Sequence, residues 1–164
     1  MIELSKKFGN FCLSNNLVVN TSESCTAGLI ASTIAETSGS SKWLDSGFIV
    51  YTAQAKSKIL GVNPETIKNF NITSMEVSSE MVWGASKISS ANVFMSVTGV
   101  AGPTGGTTEI PVGTVCMSWL FILSDQIITH DQIKLFKGNR NEIRKHIVKY
   151  MLTQCMHYYE QINE

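Results

Sequence analysis

Apolar residues return at helical spacing at the start of the chain, where Ile2, Leu4, Phe8, Phe11 and Cys12 share one face. After the Asn15-Asn16 break the pattern contracts to a short apolar run over 17–20, so a helix followed by a strand is the predicted opening. Leu29, Ile30 and Ile34 mark a second helix over about 25–37, with Ser22 or Ser24 available as its cap and Gly39-Ser40-Ser41 beyond its end. Residues 47–52 are rich in β-branched and aromatic side chains and predict a buried strand. A short helix over 53–60, closed by Gly61, follows it and carries Lys56.

Asn63-Pro64-Glu65 has the cap, first-turn proline and early acid of another helix start, and Thr73-Ser74-Met75-Glu76 has the spacing of a capping box for a longer helix reaching about residue 90. Residues 92–98 predict a strand, 99–106 a glycine-rich loop, and 113–122 with 127–136 a hairpin joined at Ser124-Asp125. The last helix begins near Arg140, behind Asn139 with Glu142 as an acid three positions on, and keeps Ile143, Ile147, Tyr150, Met151 and Tyr158 at helical spacing. The element order read this way is α-β-α-β-α-α-β-β-β-α. Strands separated by helices require parallel crossovers, whereas short links require antiparallel neighbours. The predicted fold is therefore α/β, a three-layer α/β/α arrangement with a mixed, mostly parallel sheet plus an antiparallel hairpin, in one domain over 1–164. Ligands of such sheets sit beyond the carboxyl ends of strands. Segments 21–28, 52–56 and 98–106 leave strands there and can share a cleft.

Composition narrows the partners. Lys plus Arg (13) balances Asp plus Glu (13), so neither nucleic acid nor a membrane surface is an expected partner. Glu3, Lys6 and Lys7 interrupt the first ten residues, which therefore lack a signal-peptide core, and the longest apolar run, 115–123, is too short for a bilayer. A cytoplasmic setting is the expectation. Cys12, Cys25, Cys116 and Cys155 form no CxxC and no Cys/His pair, which argues against a zinc site or a disulfide framework; no metal and no organic cofactor is expected. Trp43, Trp83 and Trp119, with seven phenylalanines, are more apolar surface than a chain this small needs to bury alone, and predict a homo-oligomer.

The informative absence is histidine. His130, His146 and His157 fall on a late strand and the last helix, away from every Ser/Gly-rich segment, and there is neither GxSxG nor SxxK. A serine nucleophile then needs another base, and a lysine serves only if its pKa falls from about 10.4 toward neutrality, which takes burial or a neighbouring cation. Lys56 sits beside a buried strand and meets that condition, whereas Lys6, Lys7, Lys145 and Lys149 read as solvated charges. Tyr51, five residues earlier, can orient the lysine or the substrate. Ser41 is the candidate nucleophile, its plain alternative being the cap of a turn at 42–44. Cys25 at a helix start is the second candidate. The loop holding Thr98, Gly99, Gly102, Gly105 and Gly106 exposes amides that suit a phosphate or an oxyanion, and Arg140 can add a bidentate phosphate contact.

Taken in order, Glu23-Ser24-Cys25-Thr26-Ala27-Gly28, Gly39-Ser40-Ser41, Tyr51 with Ala55-Lys56, Thr98-Gly99-Val100-Ala101-Gly102-Pro103 and Pro111-Val112-Gly113-Thr114 resemble the CinA C-terminal domain family over nearly the whole chain. Members made of this domain alone resemble amidases that hydrolyse nicotinamide mononucleotide to nicotinic acid mononucleotide and ammonia, and longer members carry a further N-terminal domain for which this chain has no room. The resemblance implies a small-molecule nucleotide substrate, a serine nucleophile, a lysine base and a supporting tyrosine, mapped by motif onto Ser41, Lys56 and Tyr51. Thr98 and Arg140 match further active-site positions. Ser24, Thr26 and Gly28, at a helix start, join Gly102 to Gly106 and Arg140 as candidates for the substrate phosphate. Ala27, where glycine is common, and Met75, where an acid is frequent, are mild departures.

Overall fold

The structure is a computed structural model that describes residues 1–163. In chain order it contains α1 (Ile2–Ser14), β1 (Val19–Glu23), α2 (Leu29–Ala35), a 3-10 turn (Ser40–Lys42), β2 (Leu44–Ile49), α3 (Ala53–Leu60), α4 (Pro64–Phe70), α5 (Met75–Ser86), β3 (Val93–Gly99), β4 (Thr114–Ile122), β5 (Ile127–Leu135) and α6 (Arg140–Ile162). Three helices stand between β2 and β3, where the order read from the sequence had two. Asn63 and Ser74 each cap a separate helix by accepting from Glu65 N and Val77 N.

The sheet runs β2-β1-β3-β4-β5. β1 is parallel to β2 and β3, and β4 is antiparallel to both of its neighbours, so four of the five strands point the same way. The mixed, mostly parallel sheet with its hairpin is thus as expected. Alternation along β3 and β4 divides the core. Val93, Met95, Val97, Met117 and Trp119 face α1, α2 and α6, while Phe94 and Leu120 face α5 and the end of α3. Helices on both faces make the three layers. A β-carbon at Gly84 would stand 1.8 Å from the Leu60 carbonyl oxygen, so only glycine lets α5 press against the end of α3. That contact helps seat the helix that carries Lys56.

β1 departs most from its hydrophobic pattern. It starts two residues later than read and runs on through Asn20, Thr21, Ser22 and Glu23, all buried. A central parallel strand is covered on both faces, so its polar side chains must be paired inside. Asn20 Nδ2 donates to the Ser46 carbonyl at 3.2 Å and Thr21 Oγ1 to Glu23 Oε1 at 3.2 Å. The segment read as the start of the second helix is instead a turn over 24–28. Ala27 (φ 51°) and Gly28 (φ 88°) are left-handed there, and α2 begins only at Leu29. Two of the three tryptophans, Trp43 and Trp119, are buried within the chain, and Trp83 keeps 41% of its surface exposed. Trp43 and Trp119 thus add nothing to the surface, while Trp83 and Phe70 remain exposed. Among the described residues no helix is long and apolar enough to cross a membrane.

Candidate active site

Because β2, β1 and β3 are adjacent and parallel, their carboxyl ends open on one rim of the sheet. The ladder continues past them: the Ser24 amide donates to the Val97 carbonyl at 3.0 Å and the Val50 amide to the Glu23 carbonyl at 2.8 Å. Thr52 then caps α3 by accepting from the Ala55 amide at 3.1 Å. This cap sets the phase of the first helical turn, which turns Lys56 inward.

Lys56 is fully buried. Its Nζ donates to the Val50 carbonyl at 2.7 Å and to Ser24 Oγ at 2.9 Å. Burial pulls its pKa down to about 8. An ammonium spends its protons on both acceptors; once one proton is lost, the lone pair can accept from the Ser24 hydroxyl while an N-H still holds Val50. The pair is a hydroxyl beside an amine that can be neutral near physiological pH.

Ser41 is not part of it. It lies in the exposed turn that precedes β2, whereas Lys56 follows the end of β2. Six strand residues, at about 3.3 Å each, put roughly 20 Å between those rims. The expected Ser41–Lys56 pairing is corrected accordingly: ten residues from Ser41 to Tyr51 are the length of a strand, and Ser24, expected as a substrate contact, is the serine beside the lysine. Cys25 is also no nucleophile at rest, since burial pushes its thiol up to about 12.

Tyr51 stands at the same rim, half exposed, but its hydroxyl accepts from Arg140 Nη2 at 2.8 Å and not from Lys56. Arg140 Nη1 donates to the Gly102 carbonyl at 2.8 Å, so one guanidinium ties the tyrosine to the glycine loop. The cleft beside these groups holds about 250 Å³, small for a ligand pocket. Tyr51, Asn71 to Thr73, Gly99, Gly102, Gly105 and Arg140 are among its lining residues, which include one cation and no carboxylate. Ser24, Lys56, Thr98 and Gly106 are absent from that lining. The buried Thr98 hydroxyl donates to the Ile72 carbonyl at 2.9 Å, and Gly106 packs toward Pro111 and Val112.

The expectation that Thr26 to Gly28 forms an open helix start is also corrected. The amides of Gly28, Ile30 and Ala31 donate to the buried Glu23 carboxylate at 3.0, 3.1 and 2.8 Å, so the N-terminus of α2 already holds an anion from its own chain. Arg144 Nη2 donates to the Thr26 carbonyl at 2.6 Å and pins the same turn to α6. Sequence reading missed both residues. Glu23 is an acid just ahead of a helix start and Arg144 lies one turn after Arg140, and these were the available signals. It also missed Asn71, for which a loop position gave none. The histidines stay remote, with His130 on β5 stacked on Tyr158 at 4.1 Å and His146 and His157 on α6.

Comparison with known proteins follows the same outline. Residues 1–159 match the CinA C-terminal domain. The nicotinamide-nucleotide amidohydrolase PncC of Escherichia coli K12 is 35% identical over 152 residues, covering 93% of this chain and 90% of that protein. A CinA-like protein of Kosmotoga olearia is 39% identical over 143 residues, which are 87% of this chain and 34% of that longer protein. Among solved structures, the competence/damage inducible protein CihA of Agrobacterium tumefaciens superposes with a TM-score of 0.85 at 38% identity, over 93% of this chain and 91% of that one. The competence or damage-inducible protein of Enterobacter asburiae superposes with a TM-score of 0.88 at 29% identity, over 95% and 96%.

Proposed function

The chain belongs to the CinA C-terminal domain family, and from that premise we propose that it is an amidohydrolase that cleaves the carboxamide of nicotinamide mononucleotide, releasing ammonia and nicotinic acid mononucleotide. The observation that carries the reading is the 2.9 Å contact between Ser24 Oγ and a buried lysine whose pKa is drawn down to about 8. Near-full coverage of amidohydrolases of similar length supports the substrate.

In the first half-reaction neutral Lys56 accepts the Ser24 hydroxyl proton as Oγ bonds to the carboxamide carbon. The tetrahedral oxyanion takes hydrogen bonds from main-chain amides of the turn at Cys25 and Thr26 or of the glycine loop. The carbon–nitrogen bond then breaks, the leaving nitrogen takes the proton from Lys56 and departs as ammonia, and the acyl group stays on Ser24 as an ester. In the second half Lys56 takes a proton from water, hydroxide adds to the ester carbon, and Ser24 leaves with the proton returned. Arg140 exchanges its Tyr51 contact for the substrate phosphate, and the amides of Gly102 and Gly105 add to it. None of these steps calls on a cofactor.

The test is ammonia release from nicotinamide mononucleotide by purified protein. Ser24→Ala is expected to lower kcat at least about a thousandfold, while Ser41→Ala stays within about twofold of the parent. Loss in Ser41→Ala with retention in Ser24→Ala would sink the assignment.

A further inference from the structure

Asn71 has the most costly backbone conformation along the cleft, with φ 75° and ψ 155°. That region is populated almost only by glycine, because a β-carbon collides with the neighbouring peptide. The residue is nevertheless held there firmly. Its Oδ1 accepts from the Thr73 amide at 3.2 Å, and the next carbonyl, of Ile72, accepts from the buried Thr98 hydroxyl at 2.9 Å on the end of β3. Ser74 then caps α5 directly behind it. Three consecutive anchors fix the segment, so the strain is imposed by the scaffold and is not relieved by local drift.

The side-chain amide is thereby oriented. A backbone N-H can only donate, so the atom facing Thr73 must be the oxygen, and Nδ2 is the free end. Asn71 is exposed and lines the same cleft as Tyr51, Arg140 and the glycine loop. It thus offers two fixed N-H donors to a cavity otherwise lined by one cation and no carboxylate.

We infer that Asn71 is a specificity-determining residue whose Nδ2 donates to an oxygen of the sugar–phosphate part of the substrate. The inference rests on the nucleotide reading above. The scaffold keeps the residue strained, and the strain holds the donor in place before the ligand arrives, which saves the ordering cost that a mobile asparagine would incur on binding. Because the donor lines a cleft whose lining does not include Ser24 or Lys56, its contact exists equally before and during the chemistry and acts on binding alone.

Two variants separate recognition from structure. Asn71→Asp keeps the oxygen that anchors Thr73 and the shape of the side chain, and removes the donor; Asn71→Gly removes side chain and strain together. Both are expected to raise KM for nicotinamide mononucleotide about fivefold to tenfold with kcat within about twofold, and Asn71→Gly is expected to raise Tm by about 2–8 °C. The dephosphorylated riboside distinguishes the two kinds of oxygen: a loss shared by nucleotide and riboside assigns a sugar hydroxyl, and a loss confined to the nucleotide assigns the phosphate. Calorimetric Kd values for the nucleotide product on the same proteins are expected to weaken by the same factor, independently of turnover. Unchanged KM and Kd in Asn71→Asp, with or without a rise in Tm for Asn71→Gly, would overturn the inference and leave the amidase reading standing. A parent that binds the product and releases no ammonia would overturn the amidase reading instead, and Kd would still decide Asn71.

Discussion

β2 has a serine and a lysine near each end, and only at the carboxyl end are the two buried in contact. At the amino end Ser41 and Lys42 share an exposed 3-10 turn, where water stabilises the lysine's charge. At the carboxyl end Lys56 is enclosed beneath Ser24 with a carbonyl and a hydroxyl as its partners. Residue types are the same and environments are opposite: Lys56 is removed from water with no carboxylate among its hydrogen-bond partners.

The sharpest way to break the comparison is to delete each lysine in turn. Lys56→Met is expected to lower kcat about 10²–10⁴-fold, and Lys42→Met to leave it within about twofold, both read by ammonia release. Equal losses would mean that burial does not distinguish them. The pH profile comes next. Attack requires the neutral amine, so kcat/KM is expected to rise about tenfold per pH unit below about 8 and to level off above it. A profile flat from pH 6 to 9 would contradict a lysine base. Stability has its own sign: the unfolded chain holds a proton on Lys56 up to about pH 10.4 and the folded chain only to about 8, so this group makes unfolding harder as pH rises between those values. Denaturant titrations of the parent and Lys56→Met at pH 7.5 and 9.5 measure the difference. The smallest effect is expected at Cys25, next to Ser24 in the chain. With its thiol pushed up to about 12, Cys25→Ala should keep kcat within about twofold, and iodoacetamide at pH 7.5 should leave the parent active.

Sequence reading found elements wherever a local signal was complete. The predicted helix at 53–60 with Gly61 behind it is α3 residue for residue, and the box at Asn139 and Glu142 forms with bonds of 2.8 to 3.1 Å. Periodicity failed at β1, because Asn20 to Glu23 are buried by covering layers that no local window contains. Lys56, Tyr51 and Arg140 were singled out in the sequence and lie at one rim, whereas the serine beside the lysine is Ser24 and not the expected Ser41. Ser41, Tyr51 and Lys56 read as one cluster along the chain, but a strand between the first and the others separates them by its own length. Only the neighbouring strand, 32 residues away from Lys56 in sequence, supplies the hydroxyl. Asn71 was silent because the segment that holds it is anchored in part by Thr98, on a strand distant in sequence.

Glu23, satisfied by three amides at the start of α2, already quenches the positive end of that helix. Arg140, at the start of α6, is the one cation among the residues lining the cleft. In the amidase reading proposed above, the substrate phosphate is therefore drawn to Arg140, and the amides at the start of α2 are not free to compete for it.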